Sequence, residues 1–88
     1  MAQIEGPVTL DEIIQALKQL GGEAQAVDIK DQVTLNRGGM PSHYSNEHSY
    51  RETIQRIIEN NCPESDNYQG TTIFKKVVRG RYRLVEGY

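Results

Sequence analysis

The chain holds one cysteine, Cys62, and so cannot close a disulfide within itself, which agrees with a reducing compartment. No stretch approaches the ~18 consecutive apolar residues of a membrane span. The first residues, Met-Ala-Gln-Ile-Glu-Gly-Pro, lack the basic and apolar regions of a secretory signal, so a cytoplasmic location with no membrane partner is expected. No CxxC or HxxxH pair accompanies His43, His48 and Cys62, and structural zinc usually takes four ligands; no metal is expected. Gly21-Gly22 and Gly38-Gly39 lack the spacing of a nucleotide-binding loop, and no cofactor is indicated. Carboxylates are scattered singly, and neither Cys62 nor the histidines sit in a triad-like context. Catalytic residues are therefore not expected, and the chain reads as a non-enzyme. Internal repeats and low-complexity tracts are also missing.

What is present fits one small domain. Eighty-eight residues can enclose one modest core, with residues 1–8 as an N-terminal tail. At 36% apolar and 25% charged the composition is polar for a globular chain, but the apolar positions are periodic, which argues against disorder. The formal net charge is −2, and its distribution matters more than its sum. Residues 1–66 hold five cations against eleven anions, whereas residues 67–85 hold five cations and no anion. Those five, Lys75, Lys76, Arg79, Arg81 and Arg83, flank Gly80 in an apolar, β-prone run. Gly80 can take a positive φ, so Val-Arg-Gly-Arg predicts a tight hairpin with cationic tips.

Three helices are expected ahead of that hairpin. Thr9 and Glu12 have capping-box spacing, and Leu10, Ile13, Ile14, Leu17 and Leu20 make one apolar stripe that ends at Gly21-Gly22. Residues 23–26 could form a brief extended segment. Residues 26–35 predict a second helix through Ile29 and Val33, followed by a loop from Asn36 to Ser42 that contains Gly38-Gly39 and Pro41. The third helix carries Tyr50, Ile54, Ile57 and Ile58 on its buried stripe and stops at Asn60-Asn61-Cys62-Pro63. Its start is open: Ser49 and Glu52 repeat the capping-box spacing, while Ser45 and Asn46 are also good caps. Residues 63–70 read as turns, and strands are expected near 71–77 and 81–86. In the second strand Tyr82 and Leu84 alternate with Arg81 and Arg83. In the first, Phe74 and Val77 are three apart, so either a bulge intervenes or one of them is exposed.

Three helices followed by a two-stranded β-hairpin wing, with a short extra strand after helix one left open, is an α+β winged helix-turn-helix order. Leu-Gly-Gly-Glu-Ala at 20–24, Tyr50-Arg51 opening the third helix and Phe74 to Leu84 resemble a winged-helix module attached to restriction endonucleases. They are also similar to related winged helices of bacterial transcription proteins. The resemblance covers about residues 9 to 86. It implies double-stranded DNA binding, with the chemistry left to a separate nuclease domain that 88 residues do not contain. The chain would then be an isolated module, a piece of a larger protein or a stand-alone binder.

The candidate DNA-binding residues follow from the two elements. In the hairpin they are Arg79 and Arg81 at the tip, with Lys75, Lys76 and Arg83 along the sides. Around the third helix they are Tyr44, Ser45, Asn46, Ser49, Arg51 and Gln55, where Asn46 and Arg51 are the types that bond adenine and guanine edges. Arg56 is expected to pair with Glu52 or Glu59 along the helix. The alternative is a protein-interaction or dimerisation winged helix. In it Glu5, Asp11, Glu12, Glu23, Asp28 and Asp31 dock a basic partner or a second copy, and the hairpin only closes the fold.

Overall fold

A computed structural model describes residues 6–41, 44 and 46–88. Its elements run α1 (Leu10–Gln19), β1 (Glu23–Gln25), α2 (Ala26–Arg37), α3 (Glu47–Asn60), β2 (Phe74–Val78) and β3 (Arg81–Leu84). The chain is thus α+β, with three helices and a three-stranded antiparallel sheet rather than a hairpin alone. Strand order is β1-β3-β2, so the last strand lies in the middle.

Local chemistry sets the helix ends. Thr9 has extended backbone angles, its hydroxyl accepts the Glu12 amide at 3.4 Å, and the Glu12 carboxylate accepts the Thr9 amide at 3.2 Å. The reciprocal bonds satisfy donors that a helix start otherwise leaves unpaired. At the far end of α1 the Gly22 amide reaches back to the Leu17 carbonyl at 2.8 Å, with Gly21 at φ +94°. α2 has no side-chain cap. Its Ala26 amide donates instead to the Gly80 carbonyl in the hairpin turn at 2.7 Å, which ties the start of α2 to the tip of the last two strands. It runs to Arg37, two residues past the expected end, because Gly38 supplies the left-handed φ of +83° that terminates it. For α3 the cap is Asn46, the later of the two early starts. Its side-chain oxygen accepts the Ser49 amide at 2.8 Å, so Ser49 lies inside the helix rather than capping it.

The core lies between the helices and one face of the sheet. Ile13, Ile14, Ala16 and Leu17 of α1 meet Ile29 and Val33 of α2 and Tyr50, Ile54 and Ile58 of α3, with Ala24, Phe74 and Tyr82 closing from the strands. Each fully buried large aliphatic side chain contributes roughly 1.5–3 kcal/mol. Tyr50, buried in this core, exchanges a 2.8 Å hydroxyl hydrogen bond with Thr34, linking α3 to α2. Tyr50→Phe is expected to lower unfolding free energy by about 1 kcal/mol in urea denaturation, since the Thr34 hydroxyl also bonds the Lys30 carbonyl and keeps a partner.

Arg37 is the one buried charge among the described residues, at 1% exposure. It sits 3.2 Å from the Glu12 carboxylate and donates to the Gly6 carbonyl at 2.8 Å. The sequence placed Arg37 in a loop; instead it locks the end of α2 to the start of α1.

The strands are shorter than expected, at 74–78 and 81–84. Residues 71–73 precede the ladder, and the Ile73 and Phe74 amides both donate to the Asn61 carbonyl at 3.0 Å. The ladder shifts register between Lys76 and Val78, so the bulge is present and Val77 is left partly exposed.

Candidate nucleic-acid interface

Pleating separates the hairpin cations. Tyr82 is buried, so its in-register neighbours Ala24 and Lys76 share the inner side of the sheet, and Arg81 and Arg83 face out. Arg83 lies directly opposite Lys75 on one side and Glu23 on the other. Like charges directly opposite one another in an antiparallel pair destabilise it. The outer face therefore carries Lys75, Arg81 and Arg83 with Glu23 among them, and Arg79 sits in the turn beside Gly80 at φ +80°.

Not all five cations are equally available. Arg81 donates from Nε to the Glu23 carboxylate at 2.6 Å, with the side chains 38% and 39% exposed. A pair this open is solvated and weak enough to exchange partners. Lys76 departs furthest from its expected place. It borders a recess formed with Glu59, Cys62, Glu64, Asp66 and Tyr82, and its backbone amide donates to Glu64 at 2.9 Å. Three carboxylates in that recess oppose a phosphate, so Lys76 is separated from Lys75 and Arg83. Lys75, Arg79 and Arg83 are exposed and make no ion pair among the described residues.

The α3 candidates divide as well. Arg51 donates to Asp31 of α2 at 2.9 Å, holding it on the flank between the helices. Gln55 donates to Glu59 at 3.2 Å and to the Tyr82 hydroxyl at 3.3 Å, which brings this flank of α3 against the sheet. Nearby, burial and the Arg51 charge push the Lys30 ammonium below its usual pKa, against an opposing pull from Glu52 and Glu59. Asn46 caps the helix, Ser49 is half-buried behind it, and Tyr44 packs edge-on against Tyr50 at 5.4 Å between ring centroids. Ser45, with Ser42 and His43, lies outside the described residues.

The helix face that meets solvent is a different one. His48, Glu52 and Arg56, at i, i+4 and i+8, are exposed, with Ser49, Thr53, Ile57 and Asn60 alongside them. Arg56 does not pair with Glu52 or Glu59. The Glu59 carboxylate is held by Gln55 and by Asn67 at 2.9 Å, and no ion pair of Arg56 occurs among the described residues. Sequence reasoning missed this cation by assigning it a local partner. The exposed polar period of four from His48 was the signal that could have found it.

The acidic alternative is also changed by the geometry. Glu12, Glu23 and Asp31 each take part in an internal ion pair, which leaves Asp11 and Asp28 as its described acidic residues outside such pairs; Glu5 lies outside the described residues.

Cys62 has no exposed surface, and burial pushes its thiol above the ordinary pKa. The thiolate is the reactive form, so alkylation by iodoacetamide at pH 8 is expected to be at least about tenfold slower than in denaturant. Equal rates in both states would contradict this packing.

No helix among the described residues is long and apolar enough to cross a membrane, and no group of three or more metal-ligating side chains occurs among them. Comparison with family models, curated proteins and solved structures finds no match to this chain.

Proposed function

We propose that this chain is a winged helix-turn-helix module that binds double-stranded DNA in the cytoplasm and performs no chemistry of its own. The outward face of α3 addresses the major groove, and the hairpin holds the flanking backbone or minor groove. The order helix-strand-helix-helix-strand-strand, with β1 paired to β3, supports the wing reading. The observation that carries the binding reading is the in-register Lys75–Arg83 pair on the outer sheet face, continued by Arg81 and Arg79. Opposed like charges weaken a strand pair, and a phosphate between Lys75 and Arg83 would relieve the repulsion, as Glu23 on the other side of Arg83 does in part. In this arrangement Arg81 exchanges Glu23 for phosphate, while Arg51 and Gln55 support the α3 flank. Tyr44, Asn46 and Ser49 surround the helix N-terminus, where amides favour an anion, and Ser45 joins them as a candidate from the sequence alone. A setting in restriction-modification or transcription follows from the resemblance of the sequence.

The test is fluorescence anisotropy with a labelled duplex over a range of salt. Binding whose log affinity falls linearly with log salt supports the proposal. Absence of binding at low salt removes it.

A second reading, a protein-docking or dimerising module, is favoured by Val27 and Leu35, exposed on α2 with Asp31 between them. It requires association on a sizing column that depends on concentration, with no duplex binding at moderate ionic strength.

A further inference from the structure

We infer that base readout falls to Glu52 and Arg56, with His48 beside them, and that the favoured duplex presents G·C pairs to this face. The inference rests on the DNA-binding reading above. Arg51, the expected guanine reader, is three-quarters covered and donates to both Asp31 and the Val27 carbonyl on the α2 side, and Asn46, the expected adenine reader, is engaged in capping α3. Asn60, on the same outward side, points its amide at the Arg56 and Asn67 carbonyls once its oxygen and nitrogen are correctly assigned. That leaves Glu52 and Arg56 as the exposed, chemically directional groups along the middle of the helix. Neither side chain makes a hydrogen bond or ion pair within the described residues, although a glutamate four residues before an arginine is well placed for one and the Glu52 charge is felt by Lys30.

Their chemistry selects a ligand. A guanidinium matches the O6 and N7 acceptors of guanine, and a carboxylate accepts from the N4 amine of cytosine. Guanine and thymine offer that carboxylate only acceptors, and adenine sets an N7 acceptor beside its N6 donor, so Glu52 favours cytosine over the other three bases and repels unselective phosphate contact. The rise along a helix puts the two residues roughly 6 Å apart, which is under two base-pair steps of about 3.4 Å. Neighbouring G·C pairs with cytosine and guanine presented in that order satisfy both residues together. A carboxylate at the centre of a DNA-facing helix would otherwise be an unexplained repulsion. Here it is the element that discriminates.

The experiment is competition anisotropy at fixed salt with short duplexes of equal length. One alternates G and C, one alternates A and T, and one carries 7-deazaguanine in place of guanine, which lacks the N7 acceptor. The wild-type chain is expected to favour the G·C duplex roughly tenfold over the A·T duplex and to lose much of that preference with 7-deazaguanine. Arg56→Ala should equalise the duplexes by weakening the G·C complex. Glu52→Gln should equalise them by tightening the A·T complex, an outcome that mere helix disruption cannot give. Salt-dependent binding with equal affinity for every duplex, unchanged by either variant, overturns the inference and leaves the binding module intact. No binding to any duplex at low salt overturns both, at the level of the module.

Discussion

Alanine at Lys75, Arg79 and Arg83 together is expected to weaken duplex binding by about two orders of magnitude at about 0.1 M salt. Each phosphate contact contributes roughly 0.9 to the slope of log affinity against log salt, so the slope should fall by close to three units if all three touch phosphate. The substitutions are exposed and remove no ion pair, so circular dichroism and thermal unfolding should be nearly unchanged. Relieving the Lys75–Arg83 opposition is offset by losing Arg83 opposite Glu23, so the net change in stability should stay within about half a kcal/mol. Two controls sharpen the result. Lys76→Ala should change affinity little, because Lys76 faces a recess that contains Glu59, Glu64 and Asp66. Arg81→Ala should have an intermediate effect, since that arginine must first leave Glu23. If the triple variant binds as tightly as the wild type with the same salt slope, the outer sheet face is not the contact surface.

The largest effect on stability is expected from Glu12→Gln. Glutamine can keep the capping-box hydrogen bond to the Thr9 amide, so the loss reports mainly the missing charge beside Arg37. Removing one partner of a fully buried pair costs about 3–5 kcal/mol. The Glu12 side chain is one-quarter exposed and Arg37 keeps the Gly6 carbonyl, so about 2 kcal/mol is the expected loss here. For a domain of this size that lowers Tm by roughly 10 °C. Arg37→Met should be milder than Arg37→Ala, because an apolar side chain of similar length fills the space without leaving a buried charge. Equal stability of Glu12→Gln and wild type in urea titrations would mean that the ion pair contributes nothing.

The contrast between these two regions shows what the sequence made legible. The α1 boundaries could be read because Thr9, Glu12, Gly21 and Gly22 act on backbone groups within a few residues. The hairpin bulge was readable for the same reason, from Phe74 and Val77 breaking the alternation of two. β1 was scarcely visible. Three residues carry no periodic signal, and their partners in β3 lie almost sixty residues away. Arg37 reads as a loop residue because its partners, Glu12 and Gly6, also lie far off in sequence, though only about half as far.

The candidate site was legible in composition and obscured in orientation. Cation clustering located the hairpin, yet only pairing with Tyr82 decides that Lys76 turns away from Lys75 and Arg83. On α3 the expected apolar stripe is buried at Tyr50, Ile54 and Ile58, but Ile57 is only partly covered and borders the open face. Which polar flank stayed open depended on Asp31 capturing Arg51 and Tyr82 accepting from Gln55, both contacts between elements. Local spacing suggested a partner for Arg56; Gln55 and Asn67 take Glu59 instead.

In the proposed complex the outer face of the cationic hairpin and the open face of α3 engage a single duplex at once. An amide-shift titration of the isotopically labelled chain with a short G·C duplex tests this most directly. The amides of Lys75, Arg79 to Arg83, and those of His48, Glu52 and Arg56, are expected to move together and saturate with one Kd. Shifts confined to Val27 through Leu35 of α2, or none at low salt, would contradict it.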